Sequence, residues 1–133
     1  MPSIRHDLSI EAPADAVWAA VRDFGAVHRR LAPGFVVDAR IDGDARIVTF
    51  ANGTTARERL VDCDDATRRL VYAIQSERVS HYNASVEVSD AAGGSRVVWT
   101  IDFLPQAIAP YIAAQSSEGA RVMKQTLERQ AAR

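Results

Sequence analysis

The sequence predicts an α+β fold in which a curved, seven-stranded antiparallel sheet wraps around one long C-terminal helix. Its 133 residues match the usual size of a single domain. Most of the chain alternates polar and apolar residues with the period of two that is typical of half-buried strands. The last quarter changes to the spacing of an amphipathic helix. We therefore expect one domain, residues 1–133, with one core.

The N-terminal segment predicts one strand followed by two short helices. Residues 4–10 alternate apolar and polar side chains, which indicates a strand. Pro13 ends this pattern and opens a short helix, since proline is tolerated in a first helical turn. We expect Gly25 to cap that helix. A second short helical segment is expected over Val27–Leu31.

Six more strands follow, separated by turns too short for crossover helices, so the neighbouring strands must be antiparallel. Asn52-Gly53 supplies the positive φ angles of a tight hairpin. After Pro105 the apolar spacing becomes helical, and a long helix is expected from Pro110 to about Gln130. The six strands are predicted over residues 35–41, 46–50, 55–63, 69–76, 82–88 and 96–103.

Composition and charge narrow the function classes. The 16 basic and 17 acidic residues nearly cancel, so no basic surface for a nucleic acid is expected. Cys63 is the only cysteine, and the three histidines lack the spacing of metal ligands, so we expect no disulfide, metal or cofactor. The apolar runs are too short for membrane insertion. A cytoplasmic protein is the resulting expectation, and monomer or homodimer is left open.

The predicted sheet is wider than one helix and must curl around it, which leaves space for a small apolar ligand. The bulky apolar positions of each strand must face this interior. Gly119 on the inward face of the helix costs about 1 kcal/mol relative to alanine, which a close approach of backbone or ligand would explain. The candidate ligand-binding residues are Glu58, Leu60, Tyr72, Ile74, Ser76, Tyr82, Ala84, Val86, Trp99, Gly119 and Met123.

Among these candidates, Glu58 is the residue best suited to act as an acid or base in a reaction. It lies between Ala56 and Leu60 on an inward face, where loss of hydration favours the neutral carboxyl form and suits a general acid or base. The alternative is a carboxylate held by a structural hydrogen bond. If Glu58 were unpaired, Glu58→Gln would stabilise the domain at neutral pH.

Two tyrosines are predicted near Glu58: Tyr72 on the neighbouring strand, and Tyr82 one strand further. Tyr72 and Tyr82 can donate hydrogen bonds to a ligand carbonyl or to an enolate. Alternatively, both are core aromatics with local partners. His81 alternates onto the outer face, so an exposed position is expected instead of a catalytic one.

The order of elements and several short segments resemble the START-like superfamily (SRPBCC), whose domains have the helix-grip fold. The likeness is to its polyketide cyclase/dehydrase-like branch and covers almost the whole chain. It implies a pocket for lipids, steroids, hormones or polyketides, and in some members aromatisation, dehydration or condensation. The segments that carry it are IEAPADAVW (10–18), RERL (57–60), RLVY (69–72), Tyr82 and SRVVW (95–99).

Three functions therefore compete. The first is binding of a small hydrophobic or aromatic molecule, such as a lipid or polyketide, by a carrier or sensor. The second is a cyclase, aromatase or dehydratase without a cofactor, with Glu58 as acid/base and Tyr72 and Tyr82 as hydrogen-bond donors. The third is a structural domain with a filled core and a dimerising edge.

Overall fold

The computed structural model describes residues 2–132 and shows the expected α+β architecture. The strands are β1 (Ser3–Ile10), β2 (Val36–Asp42), β3 (Ala45–Phe50), β4 (Thr55–Asp64), β5 (Arg69–Ile74), β6 (His81–Ala91) and β7 (Gly94–Leu104). The regular helices are α1 (Ala14–Arg22) and α2 (Ala109–Ala131). Short helical turns cover Phe24–Ala26, Val27–Leu31 and Gln106–Ile108.

All seven strands form one antiparallel sheet in the order β1-β7-β6-β5-β4-β3-β2. Neighbours in the chain are neighbours in the sheet, except that β1 lies beside β7. The short turns permit nothing else, because parallel neighbours would need long crossovers. The helix α2 packs across the concave face of this sheet.

Two β-bulges interrupt the predicted alternation. In β4 the register shifts between Leu60 and Asp62, so Val61, which is exposed, has no paired residue on β5. Leu60 and Cys63 on either side both pack toward the core. A bulge adds one unpaired residue and bends its strand, so it helps the sheet to curl. The second bulge lies between Val36 and Asp38 in the edge strand β2.

The predicted role of Gly25 is wrong. The helix α1 ends with Asp23 as its C-terminal cap, and Gly25 lies inside the following helical turn. A Cβ atom at Gly25 would lie 3.0 Å from the side chain of Ile41. The glycine therefore makes room for β2, and does not end the helix.

The end of the concave face beneath α1 is solidly packed. We call this region the packed half and define it by the buried residues Ala14, Val17, Val88, Val97 and Leu127. Trp18 closes it from α1, and its indole Nε1 donates to Asp65 Oδ1 at 2.9 Å. Within residues 2–132, no helix is long and apolar enough to cross a membrane.

Candidate ligand-binding cavity

The other end of the concave face encloses a cavity of about 440 Å³. Ligand pockets commonly measure roughly 300–1,000 Å³, so a small organic molecule fits. We call this end the hollow half. Its walls come from the inner faces of β3 to β7, from Val21 near the end of α1, from the segment leading into β2 and from α2 between Tyr111 and Met123. Most of the lining side chains are apolar.

The mouth of the cavity lies between three segments. They are the turn after β3 with Thr54, the loop after β5 with Ser76 and Arg78, and the start of α2 with Tyr111. The amide Nδ2 of Asn52 donates to the hydroxyl of Tyr111 at 3.4 Å and links the first segment to the third. Ser76, Arg78 and Tyr111 are exposed, so this end of the cavity is the one next to solvent.

A buried ion pair forms the polar wall. Arg46 Nε donates to Glu58 Oε1 at 2.7 Å, and both side chains are only 7% exposed. The two residues are directly opposite each other on β3 and β4. The guanidinium also donates from Nη1 to the carbonyl oxygen of Phe24 at 3.1 Å and lies 4.0 Å from the centroid of the Phe24 ring. Such stacking over an aromatic face favours a cation.

The ion pair bears on two predictions for Glu58: its inward position and the effect of Glu58→Gln on stability. Glu58 is buried and faces inward, as alternation indicated. It is not unpaired, so the condition under which Glu58→Gln would stabilise the domain does not hold. Removing one partner of a buried pair leaves the other charge uncompensated. The opposite effect on stability is now expected.

The two predicted tyrosines lie together beside the ion pair. The ring centroids of Tyr72 and Tyr82 are 6.5 Å apart, and the guanidinium of Arg46 lies 5.3 Å from the Tyr72 ring. Burial raises the pKa of Tyr72, the charge of Glu58 raises it further, and Arg46 opposes the rise. Burial also raises the pKa of Tyr82. Both hydroxyls therefore stay protonated and able to donate at neutral pH.

Trp99 lies on the wall formed by β7. Its indole Nε1 is buried and lies near the Tyr72 hydroxyl, but the two do not form a hydrogen bond of good geometry. The ring of His6 packs against it with centroids 5.6 Å apart. His6 Nε2 lies 2.8 Å from the hydroxyl of Ser116, which faces the cavity from α2. Burial lowers the pKa of His6, so the neutral imidazole is favoured here.

The structure brings most of the predicted site residues to one cavity. Those that line it are Glu58, Tyr72, Ile74, Ser76, Tyr82, Val86, Trp99 and Met123. That they bind a ligand, or that Glu58, Tyr72 and Tyr82 catalyse a reaction, stays a prediction. His81 is exposed on the outside, as expected.

Three predicted lining residues do not reach the cavity. Ala84 is fully buried between Tyr72 and Ile101, its neighbours across the sheet, and its methyl group is too short to pass them. Leu60 packs against the core beside the β4 bulge. At Gly119 a Cβ atom would lie 3.0 Å from the ring of Phe35. The close approach inferred for this glycine therefore comes from a side chain, and not from backbone or ligand.

Arg46 is the functional candidate that sequence reasoning missed. Its signal was present, because Arg46 alternates with Val48 and Phe50 and shares their inward face in β3. The Asn52-Gly53 turn sets the register in which Thr49 pairs with Thr55. Three residues further from the turn on each strand, that register places Arg46 opposite Glu58.

A curved antiparallel sheet that grips a long C-terminal helix around an internal cavity defines a START-like, helix-grip domain. A model of the family described as "Polyketide cyclase / dehydrase and lipid transport" matches residues 1–133. The chain therefore belongs to this family, as the sequence segments indicated. No curated protein matches it in sequence.

Solved structures from several bacteria share the fold. A protein from Thermobifida fusca is 28% identical with a TM-score of 0.78, over 98% of this chain and 93% of that one. A START superfamily protein from Mycobacterium smegmatis is 10% identical with a TM-score of 0.73, over 98% and 97% of the two chains.

Part of a larger, di-domain protein also shares the fold. The di-domain ARO/CYC protein BexL, from the BE-7585A biosynthetic pathway, is 17% identical with a TM-score of 0.79. The match covers 96% of this chain and 47% of that one. One unit of this fold therefore accounts for about half of BexL.

Proposed function

We propose that this protein binds one small hydrophobic or aromatic molecule in the hollow half, as a carrier or sensor. The observation that carries the proposal is the cavity of about 440 Å³ with mostly apolar walls. Empty apolar space in a core costs stability, because the lining atoms lose their contacts. A domain that needed only to fold would gain by filling it, which argues against the purely structural hypothesis.

The charges of the site support binding over chemistry. The Glu58 carboxylate forms an ion pair with Arg46, and this pairing gives both buried charges a structural role. Orientation of a ligand requires only a few polar groups in an apolar pocket. Residues 1–133 then act as one binding domain, and the single free cysteine, Cys63, fits the reducing cytoplasm in which we place it.

Native mass spectrometry of the protein purified from its own host tests this proposal. The expected spectrum shows a non-covalent mass excess of one small molecule per chain. The matched pair of variants is Ala56→Trp, which fills the cavity from its wall, and Val61→Trp, which adds the same ring on the exposed surface. The adduct should vanish in the first variant and persist in the second. An adduct that survives Ala56→Trp places the molecule elsewhere and overturns the proposal.

A second candidate is an enzyme of the cyclase, aromatase or dehydratase type. The observation that favours it is the proximity of Glu58 to two tyrosines that stay protonated. Glu58 would move a proton, while Tyr72 and Tyr82 would donate to a carbonyl oxygen of the substrate. The family description includes cyclase and dehydrase activity alongside lipid transport, so family membership is compatible with both candidates.

Dehydration of a simple β-hydroxy ketone tests the enzyme candidate. The probe is 4-hydroxy-4-phenylbutan-2-one, which loses water to give a conjugated enone with strong ultraviolet absorbance. If Glu58 is the general base, turnover falls by about a hundred-fold in Glu58→Gln, since such groups contribute on the order of 10²–10⁴. Thermal melting shows whether the variant is folded. Turnover that survives in a folded Glu58→Gln protein excludes Glu58 as the acid/base.

A further inference from the structure

In the ion pair on the cavity wall, one nitrogen of Arg46 and one oxygen of Glu58 make no hydrogen bond with residues 2–132. Arg46 donates from Nε to Glu58 and from Nη1 to Phe24. Its third nitrogen, Nη2, has no hydrogen-bond partner among residues 2–132. The same holds for Glu58 Oε2, while Oε1 accepts from Arg46. Both residues line the cavity, and both are more than nine-tenths buried.

These two unused atoms are of opposite kind. Nη2 of a guanidinium is only a donor, and a carboxylate oxygen is only an acceptor. Neither atom is fully enclosed by the protein, and because both residues line the cavity, each atom is open to a partner in that space. The side chains that carry them are opposite each other on β3 and β4. A single ligand group can therefore meet both.

The contacts around the pair hold its geometry. The Phe24 ring covers one face of the guanidinium, and the Phe24 carbonyl oxygen anchors one of its edges. Tyr72 lies on the same guanidinium at 5.3 Å. Side chains fixed before binding lose little entropy when a ligand arrives, which favours specific recognition.

The charge of the pair limits the ligand as well. Arg46 and Glu58 neutralise each other, and the only other charged side chain that lines the described cavity is the exposed Arg78 at the mouth. An anionic group at the polar wall would meet no uncompensated cation there and would also face the Glu58 carboxylate. Burial of an unpaired charge is costly, so the deep end of the cavity disfavours ions.

We propose that the ligand carries a neutral group with a hydrogen-bond acceptor and a donor side by side, which bind Arg46 Nη2 and Glu58 Oε2 respectively. Amides, lactams and hydroxy ketones have this pattern. The rest of the ligand is apolar and fills the space toward Trp99 and Met123. This inference rests on the proposed binding function and adds the chemical class of the ligand.

Four naphthalenes of nearly identical shape test the inference. They are 2-naphthamide, with acceptor and donor; 2-acetylnaphthalene, with an acceptor only; 2-isopropenylnaphthalene, with neither; and the anion 2-naphthoate. Their dissociation constants are measured by calorimetric titration at pH 7.5. The amide should bind about ten-fold tighter than the ketone, since hydrogen bonds to charged groups are the stronger class. The alkene should be weaker again, and the carboxylate weakest.

A double variant provides the matched control. Arg46→Met/Glu58→Leu removes both charges together, a replacement that buried ion pairs tolerate. The four probes should then rank by apolarity alone, and the advantage of the amide should disappear. In Glu58→Gln, which offers a donor as well as an acceptor, the amide should keep only part of its advantage.

The outcomes separate the two proposals. Equal affinities of wild type for the amide and the alkene overturn the inference and leave apolar binding in place. Tightest binding of 2-naphthoate overturns it too, because the wall would then act as a cation. Absence of binding by all four probes contradicts the proposed function itself, and the inference with it. An amide preference that persists in the double variant shows that other residues recognise the group.

Discussion

The two halves of the concave face are built from the same strands but are filled differently. In the packed half, side chains of α1 and the end of α2 are buried against the sheet, and Val17 and Val97 are fully buried. In the hollow half, a charged pair and two tyrosines stand where apolar side chains would complete a core. The difference indicates that stability comes mainly from the first region, which lets the second keep an empty, mostly apolar space with one polar wall.

The largest expected effect is in the hollow half, at Glu58. Glu58→Gln should lower the free energy of unfolding by about 3 kcal/mol, because breaking a buried pair strands the other charge. The matched control is Arg59→Gln on the outer face, whose partner Asp44 lies 2.8 Å away but is more than half exposed. That change should cost less than about 1 kcal/mol. Chemical denaturation of both variants checks the contrast, and equal losses would contradict it.

Two substitutions on α2 compare the halves directly. Leu127 belongs to the packed half, and Ile112 lines the cavity. Leu127→Ala should cost about 3 kcal/mol, within the range for buried leucines. Ile112→Ala should cost less than about 2 kcal/mol, since its side chain already borders empty space and has fewer contacts to lose. Urea unfolding measures both, and a larger loss at Ile112 would show that the hollow half is packed after all.

The two tryptophans sharpen the comparison further. Trp18 donates to Asp65 at 2.9 Å, whereas Trp99 Nε1 lies near the Tyr72 hydroxyl without a hydrogen bond of good geometry. Trp18→Phe should therefore cost about 1 kcal/mol more than Trp99→Phe, the net value of one hydrogen bond. Thermal melts of the two variants provide the measurement. If Trp99→Phe proves the more damaging, the indole N–H of Trp99 donates to the nearby Tyr72 hydroxyl and the contrast fails.

The smallest expected effect is a dependence on pH that comes from His6. Because burial lowers the pKa of His6 in the folded state, the unfolded chain binds more protons just below about pH 6.5. Stability should therefore be complete above that pH and decline as the pH falls toward 5.

Melting temperatures between pH 7.5 and 5 check the assignment to His6. The decline should be shallower in His6→Gln than in wild type. It should be unchanged in His81→Gln, because His81 is exposed. A shallower decline in His81→Gln, with no such change in His6→Gln, would show that His6 does not cause the pH dependence.

Much of the fold followed from local patterns. Alternation places the inward face of a strand correctly wherever the pairing is regular, as at Tyr72 and Tyr82. It cannot show a bulge, because an extra residue looks the same in sequence as a continued strand. Continued alternation from Leu60 would turn Asp62 inward, whereas the β4 bulge brings Cys63 to the core side of the strand.

The missing part of the site depends on contacts between distant segments. Arg46 was overlooked because a charged residue on an inward face is unusual unless its partner is known. Phe24 and Phe35 come from the segments around α1 and β2, and their packing on Arg46 and Gly119 depends on how far the sheet curls. No local pattern contains that curvature.

The central claim is that the hollow half takes up an apolar molecule. The neutral dye N-phenyl-1-naphthylamine, which fluoresces strongly in apolar surroundings, tests it in wild type, Ala56→Trp and Val61→Trp. We predict saturable binding of one dye per chain in wild type and Val61→Trp, and loss of that binding in a folded Ala56→Trp protein. Equal binding by all three proteins, or none by wild type, would contradict the account.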